Sequence, residues 1–445
     1  MPKITIVGAG SVTFAKSLLG DLASHRDVGD VTLALMDIDA ERLEFVTGLA
    51  HRIAAQESWP VRVEATLDRR EALRDADYVV LAIHVGGGDA RCIDTDIPLA
   101  YGLKQSIGCT LGPGGVMSAL RTIPVLQEIC RDMEELCPDA VLMNYHNPQV
   151  ANGWALSRVS PIKLIGLCHS VPHTHSRLCG YVGVPVDEVS FLTAGINHMA
   201  WILRFERDRQ DLYPALRRAM EDPQVWRRDT VRFEIFKQFG YFPTESTTHM
   251  SEYVPYFRRS PETIARYHLG TGIYAGFFRF EEFPKDQEWE EWRETARQRM
   301  ERIRNEIATG ERIELTRSVE PVAQVIHGME TDSGATVYLN VPNDGLIDNL
   351  PQRCYVEVPC TVNRSGIHPW HIGPLPPQLA ALNMTNVNVH MLSMEAALRR
   401  SKELAVQAVM VDPLTAAVVE LDRIPKMMAE LFEAEEQWLA PYGYK

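Results

Sequence analysis

The sequence lacks the features that define several other classes of protein. Its eight cysteines include no CxxC pair, and this scattered pattern is typical of a chain in a reducing compartment. No run approaches the about 20 apolar residues of a membrane-spanning helix, and residues 1–25 do not have the pattern of a secretory signal. The net charge of −14 argues against nucleic acid or an anionic membrane as a partner. We therefore expect a cytoplasmic protein that binds neither.

The length and composition predict a globular protein of two domains. A chain of 445 residues exceeds one ordinary domain, and 45% hydrophobic content is enough for a sizeable core. The sequence has no internal repeat at a fixed period and no low-complexity segment. We expect an α/β protein, with a Rossmann-like parallel-sheet domain over residues 1–195. A larger mixed α/β, helix-rich domain over residues 196–445 would serve substrate binding and oligomerisation.

A glycine-rich turn follows the first predicted strand. The strand Lys3–Val7 leads into Gly8, Gly10 and Ser11, directly before a helical stretch from Thr13 to Ser24. Gly8 permits a tight turn, and Gly10 lets a pyrophosphate approach the backbone and the start of the helix. The third glycine of the GxGxxG pattern is absent. The turn therefore indicates a dinucleotide site with an altered fingerprint.

An acidic residue ends the second predicted strand. The strand Val31–Met36 is followed by Asp37, whose carboxylate can accept hydrogen bonds from a ribose diol and would repel the 2′-phosphate of NADP. The alternative is that Asp37 and Asp39 only cap the helix Ala40–Ala55. Because strand, glycine turn, helix, strand and acid occur in the expected order, we predict an NAD site.

Further candidate ligands follow the next strands of the predicted sheet. The strands Val61–Thr66, Tyr78–Val85 and Ala140–Tyr145 should end at the same edge as the glycine turn. Asn147 follows the last of them, and Arg91 begins a polar segment between two strands. Asn147 before a proline is also a common turn former, and the glycine-rich segments nearby can be plain loops. We expect Asn147 and Arg91 to contact substrate.

One cysteine and one histidine stand at the ends of two short apolar runs. Leu164–Cys168 and Val189–Ile196 have the length and branching of buried strands in a parallel sheet, with a crossover helix near Thr174–Val182. At such strand ends Cys168 and His198 could share one divalent metal ion. The alternative is a buried small residue and a hydrogen-bonded core histidine.

The motifs together resemble those of one enzyme family. The sequence carries GAGS (8–11), MDID (36–39), IPLAYG (97–102), GPGGVMSALRTIPV (112–125), NYHNP (144–148), CHSV (168–171), GINH (195–198) and LPQRCYVEVP (350–359). In this collinear order, over nearly the whole chain, it resembles glycoside hydrolase family 4, the NAD- and manganese-dependent glycosidases. This family departs from two-carboxylate glycoside hydrolysis.

The resemblance implies a mechanism, its cofactors and an assembly. NAD takes a hydride from C3 of the sugar, a base removes the acidified C2 proton, and the glycosidic oxygen leaves. Water then adds to C1 and the hydride returns to C3. Cys168 and His198 would hold Mn²⁺, or another divalent metal, against the sugar oxygens as a Lewis acid. Members of the family are usually homodimers or homotetramers.

The residue after the metal cysteine helps to separate substrates in this family. Cys168, His169, Ser170 and Val171 resemble the branch that acts on unphosphorylated α-galactosides, whereas phosphosugar members carry Asn or Asp after the cysteine. His169 could protonate the leaving group, or it could only shape the pocket. The alternatives are an α-hexuronidase of the same mechanism and an NAD-dependent sugar or 2-hydroxy-acid dehydrogenase. A non-catalytic NAD sensor would have no need of the Cys168 and His198 pair.

The stretch 239–253 lies where family members contribute the C2 base. Tyr253 is our first candidate and His249 our second, although either could be a core or surface residue. A tyrosine base would need a lowered pKa. Arg258 and Arg259 fit a solvated charged face better than a contact with an anionic group of the substrate.

The remaining part of the carboxyl-terminal half mixes helices and strands. Glu281–Gly310 has the charge pattern of an exposed helix. Thr336–Val341 and Tyr355–Val362 indicate two strands, which we expect to pair near the active-site edge. Leu379–Leu439 is predicted to be mostly helical.

Overall fold

The strands of the chain form one continuous mixed sheet. The computed structural model describes residues 1–269, 294, 297–298, 301–307, 309, 311–315 and 318–445. Within these residues the strands are β1 Lys3–Val7, β2 Val31–Met36, β3 Val61–Thr66, β4 Tyr78–Leu81, β5 Val141–Asn144, β6 Lys163–Gly166, β7 Ser190–Ile196, β8 Met199–Arg207, β9 Gln210–Asp211, β10 Ala335–Pro342, β11 Tyr355–Asn363 and β12 Gly366–Pro369. Their order is β3-β2-β1-β4-β5-β6-β10-β11-β7-β8-β9, and β12 pairs with β11.

The amino-terminal half of the sheet is parallel, as the sequence predicts. The strands from β3 to β6 pair in parallel throughout. Strands β2, β4 and β5 are buried along their whole length, because helices cover both faces. The predicted bounds of β1, β2 and β3 are confirmed. The strands predicted at 78–85 and 140–145 are shorter, since the chain leaves the sheet at Leu81 and at Asn144.

The carboxyl-terminal half of the sheet is antiparallel, which corrects one prediction. The strand predicted at 189–196 is present as β7, but it pairs antiparallel with β8 and β11 instead of joining the parallel sheet. Only the tight turn at Asn197 and His198 joins β7 to β8, and so short a connection can link only antiparallel strands. Hydrophobic content shows that a strand is buried but does not show its direction.

The two predicted carboxyl-terminal strands form a ladder in the middle of the sheet. Strands β10 and β11 pair over eight residues, as expected. β10 then meets β6 at a bridge between Asn340 and Gly166, and β11 meets β7 at a bridge between Glu357 and Gly195. These four residues therefore lie in one row across the sheet. The row brings the end of β6 to the same level as the turn after β7.

Helices cover the amino-terminal strands and connect them. In chain order they are α1 Val12–Ser24, α2 Ala40–Glu57, α3 Arg69–Leu73, α4 Gly87–Ala100, α5 Gly112–Leu136, α6 Gln149–Val159 and α7 Ser170–Val182. The crossover helix predicted between the cysteine and histidine strands is present as α7. Short 3₁₀ turns lie at Arg26–Val28, Val186–Glu188 and Ala440–Tyr442.

The carboxyl-terminal half adds further helices. They are α8 Tyr213–Ala219, α9 Pro223–Trp226, α10 Thr230–Phe239, α11 Thr247–Tyr253, α12 Pro261–Arg266, α13 Val322–Thr331, α14 Pro377–Arg399, α15 Lys402–Met410, α16 Pro413–Val418, α17 Ile424–Ala434 and α18 Glu436–Leu439. The predicted helical region 379–439 is confirmed. Helix α14 packs on α5 and α6. Most of the helix predicted at 281–310 lies outside the described residues. No helix in the described part of the chain is both long and apolar enough to cross a membrane.

Candidate active site

The glycine turn after β1 has a shape that side chains would block. Gly8 has a φ of +88°, its amide donates to the carbonyl of Met36 at 2.9 Å, and a Cβ there would lie 2.6 Å from the Ala82 carbonyl oxygen. The amide of Gly10 donates to Asp37 Oδ2 at 2.7 Å. Glycine is therefore required at Gly8 by both the backbone angle and the space. The tight turn leads through the exposed Ser11 into α1, and a helix that begins in this way fits the pyrophosphate of a dinucleotide.

Asp37 and Ser11 border the same turn. Besides Gly10, the carboxylate of Asp37 accepts a hydrogen bond from the amide of Asp39 at 3.0 Å, and it stays half-buried at the end of β2. Each carboxylate oxygen has lone-pair capacity beyond one bond, so ribose hydroxyls can still bind. Ser11 precedes α1, and its side chain makes no capping hydrogen bond. The residues present fit NAD.

An aromatic pair connects the helix after the glycine turn to the end of β5, the neighbour of the cysteine strand. The ring of Phe14 on α1 meets Tyr145 edge-on, with centroids 4.8 Å apart. Tyr145 follows β5, and its buried hydroxyl has no hydrogen-bond partner in the described part of the chain. Burial, then the charge of Glu320, raises the pKa of Tyr145 well above its ordinary value. A neutral, unsatisfied hydroxyl thus lies between the two parts of the site, where it can donate to a ligand.

The structure brings Cys168 and His198 together and adds a glutamate. One donor atom each from Cys168, His198 and Glu245 lie within 4.8 Å of one another. The side chains of Cys168 and His198 are 7% and 5% exposed. Cys168 follows β6, whereas His198 lies in the β7–β8 turn with a φ of +66°. The two residues meet because antiparallel strands deliver the turn to the end of β6, not because both strands are parallel.

Glu245 reaches the cluster because its segment pairs with β8. The amide of Ile202 donates to the Phe242 carbonyl at 3.0 Å, and the amide of Thr244 donates to the Ala200 carbonyl at 2.8 Å. Phe242 is fully buried against the rings of Phe233 and Phe236 on α10. Backbone pairing and aromatic packing therefore fix the chain just before Glu245.

Two hydroxyl groups hold the other side of the His198 ring. Thr110 Oγ1 and Tyr253 OH each lie 3.1 Å from His198 Nδ1, while His198 Nε2 lies 3.6 Å from Glu245 Oε1. A histidine that binds metal through Nε2 carries its proton on Nδ1, and both oxygens can accept from that N–H. The arrangement thus directs the Nε2 lone pair toward Cys168 and Glu245.

The loop that carries Thr110 is held by a buried carboxylate. Glu252 accepts hydrogen bonds from the backbone amides of Ser106, Ile107 and Gly108, the last two at 2.9 and 3.0 Å. Arg258 donates to the Lys104 carbonyl at 2.8 Å and is 1% exposed. The expectation of a solvated face is therefore wrong for Arg258, because buried carbonyl, hydroxyl and carboxylate groups surround its guanidinium.

The protonation states in the cluster depend on burial and on neighbouring charges. Burial, reinforced by the charges of Glu357 and Glu245, raises the pKa of Cys168 well above that of a free thiol. Burial also lowers the pKa of His198 to about 4, so the ring is neutral. Burial raises the pKa of Glu245, but its interactions with neighbouring basic side chains, that with His249 first, outweigh burial and lower the value to about 2. A neutral imidazole and an ionised carboxylate suit a cation, and its binding would promote loss of the thiol proton.

Unsatisfied polar groups beside the cluster provide further contacts for a ligand. Both amide atoms of Asn197, Asn340 Oδ1 and both carboxylate oxygens of Glu357 are buried without a hydrogen-bond partner in the described residues. Burial, followed by the charge of Glu245, raises the pKa of Glu357 to about 8. Buried polar atoms without partners are uncommon in folded proteins. Their concentration at one edge of the sheet indicates a binding site for a polar molecule.

The other predicted residues lie at different places around this site. Burial, followed by the charge of Glu245, raises the pKa of Tyr253 well above its ordinary value, in contrast with the lowered value that a base requires. His249 Nδ1 lies 2.7 Å from Ser246 Oγ and 3.1 Å from Glu245 Oε2. His169 Nδ1 lies 3.0 Å from Glu320 Oε1.

The two predicted substrate contacts lie in the connections after β4 and β5. Arg91, on α4, donates to the Ile107 carbonyl at 2.9 Å and so holds the same loop as Glu252. Asn147 Oδ1 is buried without a hydrogen-bond partner in the described residues, and a cis peptide bond joins Asn147 to Pro148.

Sequence reasoning missed four residues around the cluster. Glu245 stands four residues before His249 within the stretch searched for a base, which was a usable signal. Glu357 stands in the motif at 350–359, but nothing local shows that its carboxylate lies near Cys168. Thr110 and Glu252 act through contacts that no spacing reveals.

Comparisons with known proteins agree with this architecture. The model for family 4 glycosyl hydrolases matches residues 3–184, and that for the carboxyl-terminal domain of family 4 glycosyl hydrolases matches residues 193–415. An α-galactosidase of Bacillus subtilis is 41% identical over 99% of this chain and 100% of its own length. An α-galactosidase of Rhizobium meliloti is 33% identical over 99% of this chain and 90% of its own.

A solved structure shows the same fold. A 6-phospho-α-glucosidase from gut microorganisms, in complex with NAD and Mn²⁺, has a TM-score of 0.82 at 20% identity. The alignment covers 98% of each chain. Fold and site thus define a Rossmann-type α/β protein with a thiol, an imidazole and a carboxylate at its ligand edge. The chain belongs to family 4 of the glycosyl hydrolases.

Proposed function

We propose that this enzyme hydrolyses unphosphorylated α-glycosides, most specifically α-galactosides. It would use NAD and a divalent metal ion, for which Mn²⁺ is our first candidate. The observation that carries the proposal is that the Cys168, His198 and Glu245 cluster lies at the same edge of the sheet as the glycine turn of a dinucleotide fold. The two α-galactosidases that match over nearly the whole chain support the choice of substrate.

The residues of the glycine turn would bind the nucleotide. Gly8 and Gly10 would give the turn the tight shape that lets a pyrophosphate approach, the exposed Ser11 lies at the start of α1, and Asp37 would accept hydrogen bonds from the ribose diol. When bound, NAD supplies a reversible hydride acceptor and the metal supplies Lewis acidity at the sugar oxygens. The chain itself supplies position, exclusion of water and proton transfer.

Different groups around the cluster would transfer protons. Tyr253 is our first candidate for the C2 base and His249 our second, and the two lie about one helical turn apart on α11. Because burial raises the pKa of Tyr253, that residue can act as a base only when a nearby cation offsets the effect. His169 is the candidate acid for the leaving group. The hydrogen bond that His169 Nδ1 donates to Glu320 is the largest influence on this ring; it raises the pKa of His169 and favours the protonated form.

Arg91 and Asn147 are proposed to contact the sugar. Asn147 offers a buried amide oxygen that has no other partner in the described residues. Arg91 orders the loop 104–110 through the Ile107 carbonyl. Together with the unsatisfied groups of Asn197 and Asn340, they give hydroxyl-bearing substrates several hydrogen-bond partners.

An assay of two signals tests the function. Aryl release from p-nitrophenyl α-galactoside and NADH absorbance would be followed together in reducing buffer, with NAD and Mn²⁺ omitted in turn and Cys168→Ser as the matched variant. Aryl release that requires both cofactors, without accumulation of NADH, is the expected result. Stoichiometric NADH would indicate a dehydrogenase instead. Activity on the galacturonide but not the galactoside would make the enzyme an α-hexuronidase. No aryl release from either substrate would contradict the proposed function.

The proposal also covers the domain boundary, the cellular compartment and the oligomeric state. We propose residues 1–195 as the dinucleotide-binding domain that carries the metal cysteine and 196–445 as the substrate and oligomerisation domain. The break between the two family matches, at 184 and 193, supports this boundary. The eight free cysteines favour a reducing cytoplasm. The assembly is a homodimer or homotetramer, which light scattering on the purified chain would test.

A further inference from the structure

We propose that Glu245 is a third protein ligand of the metal ion held by Cys168 and His198. This inference rests on the proposed function, because it assumes that the chain binds a divalent metal at the cluster. Its basis is the geometry of three side chains that come from separate segments and meet at the ligand edge of the sheet, where Cys168 and His198 are buried and Glu245 is partly buried.

The distances between the donor atoms fit a shared ion. Glu245 Oε1 lies 3.6 Å from His198 Nε2, and the three donor atoms all lie within 4.8 Å of one another. Two nitrogen or oxygen ligands that each lie about 2.1 Å from one ion are about 3.0 to 4.2 Å apart. The pair therefore accommodates an ion without a rearrangement of the backbone.

The backbone around Glu245 fixes the carboxylate in this place. Glu245 has a φ of +71°, a left-handed conformation that a non-glycine residue adopts at a cost. The preceding segment is paired to β8 through Thr244 and Ala200. Structure that maintains an unfavourable backbone angle on a buried, charged side chain is typical of a functional site.

One carboxylate oxygen is already oriented by a partner, which leaves the other for the ion. Glu245 Oε2 lies 3.1 Å from His249 Nδ1, and that ring is held by Ser246 Oγ at 2.7 Å. Glu245 Oε1 is the oxygen that lies closer to His198. Outer partners of this kind commonly orient a metal ligand.

The donor set also suits the charge and type of the ion. A thiolate, a carboxylate and a neutral imidazole balance a charge of +2, whereas Cys168 and His198 alone leave one positive charge buried. A carboxylate oxygen is a better partner for Mn²⁺ than sulfur is. Three protein ligands still leave open positions for two sugar oxygens or water.

Calorimetry of Mn²⁺ binding tests the assignment without recourse to catalysis. The chelator-treated protein would be titrated with saturating NAD as wild type, Glu245→Gln and Glu357→Gln. Glu357 is the matched control, because it is also a buried glutamate close to Cys168. We expect Glu245→Gln to weaken Mn²⁺ binding at least about tenfold and Glu357→Gln to change it by less than about threefold. Equal losses in both variants would indicate a general effect of replacing a buried carboxyl group and overturn the assignment.

Cobalt spectra separate a ligand from an outer partner. With Co²⁺ in place of Mn²⁺, Glu245→Gln should keep the thiolate-to-cobalt band of Cys168 but change the d–d bands, and Cys168→Ser should lose the thiolate band. Unchanged d–d bands in Glu245→Gln would overturn direct ligation. Acetate should restore part of the Mn²⁺ affinity of Glu245→Ala, which excludes misfolding as the cause. A wild-type chain that binds no Mn²⁺ would instead contradict the proposed function itself.

Discussion

The glycine turn and the metal cluster lie at the same edge of the sheet but are built in opposite ways. The turn is local: Gly8, Gly10 and Asp37 belong to one strand–helix–strand unit, whose shape would admit a nucleotide. The cluster is assembled from Cys168, His198 and Glu245, which come from segments far apart in the sequence and would bind a metal ion through side-chain atoms.

Because the two parts are built differently, substitutions in the turn and in the cluster should affect different ligands. The turn depends on the space that its glycines leave, so an added methyl group should weaken nucleotide binding and leave metal binding unchanged. The cluster depends on the antiparallel extension of the sheet and on outer partners such as Thr110 and Tyr253. Removal of one of these hydroxyl groups should therefore change metal affinity or proton transfer. Four substitutions test this separation.

Tyr253→Phe should produce the largest effect. Loss of a general base lowers kcat by about 10²- to 10⁴-fold. The variant should also stop the entry of solvent deuterium at C2 of the released galactose. Mn²⁺ affinity should fall less than about threefold, because Thr110 remains as a hydrogen-bond partner of His198 Nδ1.

His249→Asn is the matched comparison for this prediction. If His249 is the base, that variant will lose C2 exchange while Tyr253→Phe keeps it. If instead Tyr253→Phe retains exchange and loses Mn²⁺ affinity, the tyrosine only orients His198, and the base must be sought elsewhere.

Gly10→Ala should weaken NAD binding and leave metal binding unchanged. A Cβ at this position would lie 2.8 Å from Asp37 Oδ2 and 2.9 Å from the Cβ of Arg42. The displaced Asp37 carboxylate would lose its hydrogen bonds to the ribose, and a loss of about 1–3 kcal/mol corresponds to about 5- to 150-fold in affinity. Fluorescence titration with NADH measures the loss, and Mn²⁺ calorimetry on the same variant should match wild type. Parallel losses of both ligands would contradict the separation of the two parts.

Asp37→Asn should change the choice of nucleotide. The amide keeps an oxygen that can accept from Gly10, so the turn is retained, but the charge that repels a 2′-phosphate is lost. The ratio of NADP to NAD affinity should rise about tenfold, or about 1.4 kcal/mol. Competition titrations with both nucleotides measure it. An unchanged ratio would mean that Asp37 acts only on the turn.

The same contrast between a local turn and an assembled cluster explains which features could be predicted from the sequence. The parallel strands, the glycine turn and Asp37 follow from periodicity and order, because each is decided within one strand–helix–strand unit. The meeting of Cys168 with His198 was predicted, but for an incorrect reason. The apolar run before His198 fixed neither the direction of β7 nor its neighbours, and two strands of distant sequence, β10 and β11, lie between β7 and β6.

Residues that act through tertiary pairing could not be predicted. Glu245 is near His198 only because its segment pairs with β8, and Glu357 is near Cys168 only through the row of bridges across the sheet. Arg258 is charged, but it is buried by a loop whose amides already bind Glu252. These contacts depend on which strands become neighbours, and that choice is a property of the whole sheet.

Thr110→Val should produce the smallest effect and shows how the cluster is supported. Valine keeps the shape of threonine but removes the oxygen that lies 3.1 Å from His198 Nδ1. Loss of the whole outer shell of a ligand costs about 10- to 100-fold in metal affinity, but Tyr253 OH remains at 3.1 Å, so we expect a loss of less than about threefold, as in Tyr253→Phe. Thr110→Ser, which keeps a hydroxyl, should bind Mn²⁺ like wild type.

The double variant Thr110→Val with Tyr253→Phe makes this prediction decisive. It would leave the N–H of a buried imidazole without either hydroxyl partner, and an unsatisfied buried donor costs more than the loss of one of two shared bonds. Calorimetry should therefore show a fall in Mn²⁺ affinity larger than the product of the two single losses. A simple product would mean that the two hydroxyls act independently. His198 would then be oriented by the turn between β7 and β8 and not by its hydrogen bonds.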